Sequence, residues 1–187
     1  MTIKTFNINT DKTAFVRAYL PDSIAGLPFC EKRPAVLIFP GGGYEYCSDR
    51  EGEPIALQYL ALGYAAFVVT YSCNERFPEP LMDAAYIFYK IRMRAEEFKI
   101  DPQKMAVLGC SAGGHLAGCL ATMWSDIALT KTIGCEPEDL RPNAAILCYP
   151  VISGVTAPHE GSFKVLLGED ASRSDLSRLS LENRVTP

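Results

Sequence analysis

Apolar positions along this chain fall into two recurring patterns. Short runs in which nearly every residue is apolar, at Ala35–Phe39, Ala65–Tyr71, Met105–Leu108 and Ala144–Tyr149, alternate with segments whose apolar residues recur every three or four positions. The first pattern suits strands of a parallel sheet buried on both faces, the second a helix with one buried face. The clearest helical stripe is Leu81, Ala84, Phe88, Ile91, Ala95 and Phe98, opened by Pro80 and closed by a turn at Asp101-Pro102. Glu53–Leu62 predicts another helix, with Pro54 in its first turn and Gly63 past its end, and Gly113–Trp124 a third. Ahead of these, Ile3–Asn9 and Ala14–Leu20 are rich in β-formers and flank a polar Thr-Asp-Lys turn, which predicts an antiparallel pair. Leu27–Arg33 reads as loop, and the chain beyond Tyr149 as short helix and loop. Alternating strands and helices predict an α/β fold with a doubly wound, mainly parallel sheet, in which sites gather at the carboxyl ends of the strands.

The 187 residues suffice for one core, and no repeat or linker divides them, so a single domain is expected over 1–187. A net charge of -4 without a basic block excludes a nucleic-acid footprint. The longest apolar run, Tyr64–Tyr71, is too short to span a bilayer, and Met1–Asn7 lacks the basic-then-apolar pattern of a signal peptide; no membrane partner is expected. The seven cysteines are irregularly spaced without a C-x-x-C, which argues against a disulfide framework or zinc site and for a reducing, cytoplasmic home. No metal or organic cofactor is expected.

Two glycine-rich turns follow predicted strands. In Gly109-Cys110-Ser111-Ala112-Gly113, a G-x-S-x-G run between strand and helix makes a sharp turn that lifts a serine hydroxyl above the sheet edge, at a helix N-terminus. Ser111 is therefore the candidate nucleophile; the alternative is a tight glycine turn with an incidental serine. Gly41-Gly42-Gly43 lets backbone approach a ligand closely, and Gly42 and Gly43 with Ala112 are the candidate oxyanion-hole donors. A plain flexible loop is the alternative there; a phosphate cradle is disfavoured because Tyr44-Glu45 stands where Gly-Lys-Ser/Thr would be required.

With Phe39–Tyr44, Val69–Tyr71, Ile100–Pro102, Val107–Ala117, Cys148–Val151 and Gly161–Gly168, the chain resembles the esterase/lipase branch of the α/β-hydrolase fold over nearly its whole length. It is most similar to small acetylxylan and feruloyl esterase-like proteins, some named xylanase. It departs from many of them in carrying Pro40 where a histidine precedes the three glycines. The resemblance implies a serine carboxylesterase acting on small acyl esters, with acetylated sugars or xylan as the expected substrates. It also implies a triad ordered Ser, Asp or Glu, His, with acid and histidine on later strands. No further buried run follows Tyr149, so the expectation is an N-terminal and central part of the domain, truncated before the last two strands, with an exposed sheet edge available for a homodimer.

Only two histidines are present. His115, on the predicted helix after Ser111, is expected to be structural. His159, in a loop past the fourth parallel strand, is expected to contact substrate, with a substitute base as the alternative. Asp139 and Asp126 are expected at the wrong end of the sheet for a triad acid. The rival readings are an inactive fragment or binding scaffold, and a peptidase or thioesterase on the same fold.

Overall fold

The computed structural model describes residues 1–7, 14–23 and 32–186. The chain runs through β1 (Thr2–Asn7), β2 (Phe15–Leu20), β3 (Arg33–Phe39), α1 (Glu53–Ala61), β4 (Ala65–Thr70), α2 (Glu79–Met93), α3 (Ala95–Phe98), β5 (Ile100–Cys110), α4 (Ala112–Met123), α5 (Ile127–Ile133), α6 (Pro137–Leu140), β6 (Ala144–Cys148), α7 (Glu160–Leu167) and α8 (Arg173–Arg178). Short 3-10 turns lie at Asp49–Glu51 and Leu181–Asn183. The strands form one sheet in the order β1-β2-β4-β3-β5-β6. β1, β2 and β4 pair antiparallel, while β4, β3, β5 and β6 are mutually parallel. The opening antiparallel pair is as predicted; its Thr-Asp-Lys turn and most of the 27–33 loop lie outside the described residues.

The unbroken apolar run of β3 follows from its central place. Ala35, Leu37 and Phe39 point into the larger core cluster with Leu81, Phe88 and Leu116, whereas Val36 and Ile38 join Ala56, Ala66 and Leu108 on the other face. All five are fully buried. Fully burying a large aliphatic or aromatic side chain contributes about 1.5–3 kcal/mol, so this strand anchors the loop that leaves its carboxyl end.

The predicted helical stripe is buried at all six positions, but the helix breaks at Arg94 into α2 and α3. The turn that follows sits at Lys99, in the left-handed region at φ 54°, and not at Asp101-Pro102. Asp101-Pro102 belongs to β5, where the ladder passes from Arg33–Ile100 to Ala35–Met105 and residues 101–104 bulge outward. Such a bulge accommodates a proline, which has no N–H for the ladder.

The expectation of a buried strand at Ala144–Tyr149 is corrected. β6 is the last strand of the sheet, paired only with β5 among the described strands. Ile146 and Leu147 are 36% and 37% exposed, and Tyr149 66%. An apolar strand is buried only where neighbours cover it, and nothing in the run itself encodes their presence. Entry to β6 is fixed by buried Arg92, whose guanidinium donates to the carbonyls of Glu138, Asp139 and Arg141 at 2.8–2.9 Å. No helix among the described residues is long and apolar enough to cross a membrane.

Candidate active site

Ser111 is the single residue between β5 and α4, with φ 52° and ψ -119°. A non-glycine residue there is strained, on the order of 1–3 kcal/mol, and persists only where surroundings hold it. They do so through three backbone bonds. Ser111 N–H donates to the Cys148 carbonyl at 3.0 Å, and the Ser111 carbonyl accepts from His115 N–H at 3.0 Å and Val151 N–H at 3.1 Å. The flanking glycines are required by contact. A Cβ on Gly109 would lie 2.0 Å from the Gly113 carbonyl oxygen, and one on Gly113 would lie 2.0 Å from that of Phe39. The turn is thus pressed against the end of β3. The Ser111 hydroxyl does not cap α4.

The glycine loop begins where β3 ends and leans on this turn: a Cβ on Gly41 would lie 3.0 Å from Ser111 Cβ. Its carbonyls are turned inward. Ser48 N–H donates to the Gly41 carbonyl, and Glu45 and Tyr46 N–H donate to that of Gly42. Tyr71 hydroxyl holds the Pro40 carbonyl at 2.7 Å. Gly41 N–H is engaged by Glu51 Oε2 at 2.6 Å. Among the described residues, no backbone hydrogen bond from the N–H of Gly42, Gly43 or Ala112 accompanies these.

Glu51 is a site residue that sequence reasoning missed. Its second oxygen, Oε1, accepts from Tyr149 hydroxyl at 2.6 Å, so one carboxylate joins the glycine loop to the segment after β6. That hydrogen bond, with a lesser contribution from desolvation, holds the Tyr149 phenol well above its ordinary pKa. An acidic residue ahead of a helix is ordinarily a solvated cap, and nothing in the sequence set this one apart.

His115 is structural, as expected. It is 1% exposed. Nε2 lies 2.8 Å from the Leu179 carbonyl and Nδ1 2.7 Å from Tyr44 hydroxyl. A carbonyl only accepts, so Nε2 carries the proton and Nδ1 accepts from Tyr44. Both nitrogens are thereby committed, tying the glycine loop to α4 and the segment after α8. Burial holds its pKa below the ordinary value, against opposing pulls from the Leu179 carbonyl and the Glu182 charge. The unfolded chain then takes up a proton near pH 6.5 that the folded chain resists. Stability contributed by this group is full above that pH and falls on acidification, by up to about 1.4 kcal/mol per pH unit. Between pH 7 and 5 the melting temperature of the wild type is expected to fall more steeply than that of His115→Gln. Equal slopes would contradict the assignment.

His159 shares two cavities with Ser111. One, of about 650 Å³, is lined by Ser111, Tyr149, Val151, Ile152 and His159. The other, of about 350 Å³, adds Gly42, Gly43 and Glu51. The hydrogen bonds of His159 go elsewhere: Nδ1 accepts Ser162 N–H at 3.3 Å, capping α7, and lies 2.9 Å from Ser162 Oγ. A nitrogen accepting a backbone N–H carries no proton, so the neutral ring is protonated on Nε2. In that form Nε2 donates, and the acceptor lone pair on Nδ1 is already taken by Ser162. Asp139 is spent on the N–H of Glu136, and Asp126 caps α5; neither lines the two cavities with Ser111. Among the described residues no group of three or more His, Cys, Asp and Glu side chains could hold a metal ion.

The BD-FAE family model matches residues 27–157. The chain is 35% identical to the endo-1,4-beta-xylanase B of Butyrivibrio fibrisolvens over 82% of its own length, and 30% identical to the acetylxylan esterase of Xylanibacter ruminicola over 97%. It spans 25% and 35% of the lengths of these curated relatives. Among solved structures it is similar to the acetyl ester-xyloside bifunctional hydrolase of Caldicellulosiruptor lactoaceticus, at 34% identity and a TM-score of 0.80, covering 97% of this chain and 65% of that one. The likeness places the mixed sheet and its flanking helices in the α/β-hydrolase fold.

Proposed function

Because the chain belongs to the BD-FAE family of the α/β-hydrolase fold, we propose that it carries the nucleophile and oxyanion hole of a serine esterase for small acyl esters, acetylated sugars foremost. The observation that carries this reading is the meeting of Ser111, held at φ 52°, with the Gly42 and Gly43 backbone in one cavity. The names of the xylan-directed relatives support the sugar half of the ester.

Ser111 Oγ attacks the acyl carbon. The carbonyl oxygen becomes an oxyanion that the N–H groups of Gly42, Gly43 and Ala112 stabilise. Collapse expels the sugar hydroxyl, and water then hydrolyses the acyl-serine. The positive end of α4 favours the same developing charge. His159 contributes from Nε2–H as a donor toward the sugar half of the ester, so it aids sugar binding and not acylation by small reagents that lack that half. Because the acceptor nitrogens of His115 and His159 are already engaged, the proton of Ser111 passes to solvent water or buffer base, and solvent returns a proton to the departing sugar oxygen.

A second reading, a binding scaffold without turnover, is favoured by the same hydrogen bonds of His159. Acetate release from p-nitrophenyl acetate and from acetylated xylo-oligosaccharides separates the two. Without a triad histidine, the remaining oxyanion hole and binding give on the order of 10³-fold acceleration over water. Ser111→Ala is expected to abolish the acetyl adduct that intact-mass measurement detects on the wild type, while retaining at most the residual rate of the oxyanion hole. An acetyl adduct that persists in Ser111→Ala would overturn the role of Ser111, and no hydrolysis by the wild type would favour the scaffold.

A further inference from the structure

Cys47 closes the glycine loop and Cys73 lies just past the end of β4. Their sulfur atoms are 3.7 Å apart although 26 residues separate them in sequence. Both are half-buried, and both thiols reach the Tyr71 carbonyl, at 3.9 and 3.4 Å. Cys47 also lines a cavity of about 590 Å³ with Arg17, Asp49 and Thr70, and Cys73 is itself only partly buried, so a small reagent can approach either thiol. The two segments are already stapled by Asn74, whose N–H donates to the Tyr44 carbonyl at 2.8 Å and whose Nδ2 donates to that of Glu45 at 2.9 Å. Tyr44 and Glu45 directly follow the candidate oxyanion donors.

We propose that Cys47 and Cys73 are a redox modification site: they form a reversible disulfide that locks the glycine loop to the segment after β4, with a low-molecular-weight disulfide such as oxidised glutathione as oxidant. This inference stands on the loop's geometry and does not require that Ser111 turn over an ester.

The thiolate of Cys73 attacks one sulfur of the oxidant, forming a mixed disulfide and expelling one glutathione thiolate. That thiolate takes the proton of Cys47. Cys47 then attacks Cys73 Sγ, the mixed disulfide breaks, and the second glutathione leaves, protonated by solvent in place of the proton Cys73 lost at the outset. Two protein thiols and one oxidant thus give one protein disulfide and two glutathione thiols. The order of attack follows from the environment. The hydrogen bond from the Cys47 thiol holds the Cys73 pKa below its ordinary value, whereas the same bond and burial push that of Cys47 up. The lower-pKa thiol supplies the thiolate. Bond formation brings sulfurs that are already in contact to about 2.05 Å, through side-chain rotation and a small movement of the loop.

The test is incubation of the reduced chain with oxidised glutathione, followed by mass spectrometry and peptide mapping. The expected product has lost two hydrogens, carries a Cys47–Cys73 cross-link, shows two fewer titratable thiols than the seven of the reduced chain, and reverts with dithiothreitol. Cys47→Ser is expected to stop at a glutathione adduct on Cys73, and Cys73→Ser to leave Cys47 unmodified. In the oxidised wild type, amide hydrogen exchange over residues 41–48 is expected to slow by about tenfold or more. A lasting glutathione adduct on the wild type, an unchanged thiol count, or a cross-link through any other cysteine would overturn the pairing. Unchanged exchange over 41–48 in the cross-linked protein would overturn the lock.

Discussion

Alanine at position 113 is expected to cost the fold about 4 kcal/mol or more, enough to consume much of the roughly 5–15 kcal/mol that stabilises a domain. Its Cβ would lie 2.0 Å from the Phe39 carbonyl oxygen and 2.4 Å from that of Pro40. Both are backbone atoms at the end of the central strand, and that strand is fully buried on both faces. Relief requires β3 and α4 to separate, which opens the core. Two controls calibrate the effect. A Cβ on Gly118 would meet Leu181 Cδ1 at 2.5 Å, the far end of a flexible side chain, so Gly118→Ala is expected to cost less. Gly134 meets nothing within 4 Å, and its φ of 77° alone sets the cost of alanine, about 1–2 kcal/mol for a left-handed residue. Urea denaturation ranks the three. Wild-type stability in Gly113→Ala would contradict the turn geometry and with it the placement of Ser111.

Imidazole is expected to accelerate acylation of Ser111 by about a hundredfold or more, while His159→Ala leaves the unassisted rate within about twofold. The reason is the proton inventory. His115 is committed at both nitrogens, and His159 has its Nδ1 lone pair on Ser162 N–H. Neither offers Ser111 a free lone pair. A serine without a base is a weak nucleophile, and a diffusible base restores the missing function in proportion to its concentration. On the proposed mechanism, the glycine-loop donors act on the oxyanion whether or not a base is present. The unassisted reaction is therefore slow but still directed to Ser111.

Much of this site was legible in the sequence because its chemistry is local. Strand, tight turn and helix around Ser111 are contiguous, and a G-x-S-x-G run is dictated by backbone contacts within the turn and with the adjoining strand. The same holds for Gly41–Gly43, whose glycines follow from close approach. The features that escaped join distant segments. Tyr149 and Glu51 are 98 residues apart, and Cys47 and Cys73, irregular in spacing, meet only in the fold. The tautomer of His159 is set by a bond to Ser162 that residue identities do not reveal. The mistaken burial of β6 has a related cause. Ala-Ala-Ile-Leu-Cys is apolar enough for an interior strand, and its exposure depends on what lies alongside it.

We propose Ser111 as the reactive serine of a preorganised site in which neither His115 nor His159 serves as its base. An activated fluorophosphonate, followed by intact-mass kinetics and peptide mapping, tests this most directly. The predicted result is one slow adduct, on Ser111, accelerated by imidazole, unaffected by His159→Ala and absent in Ser111→Ala. An adduct on another residue, no adduct at all, or rapid labelling that His159→Ala abolishes would contradict it.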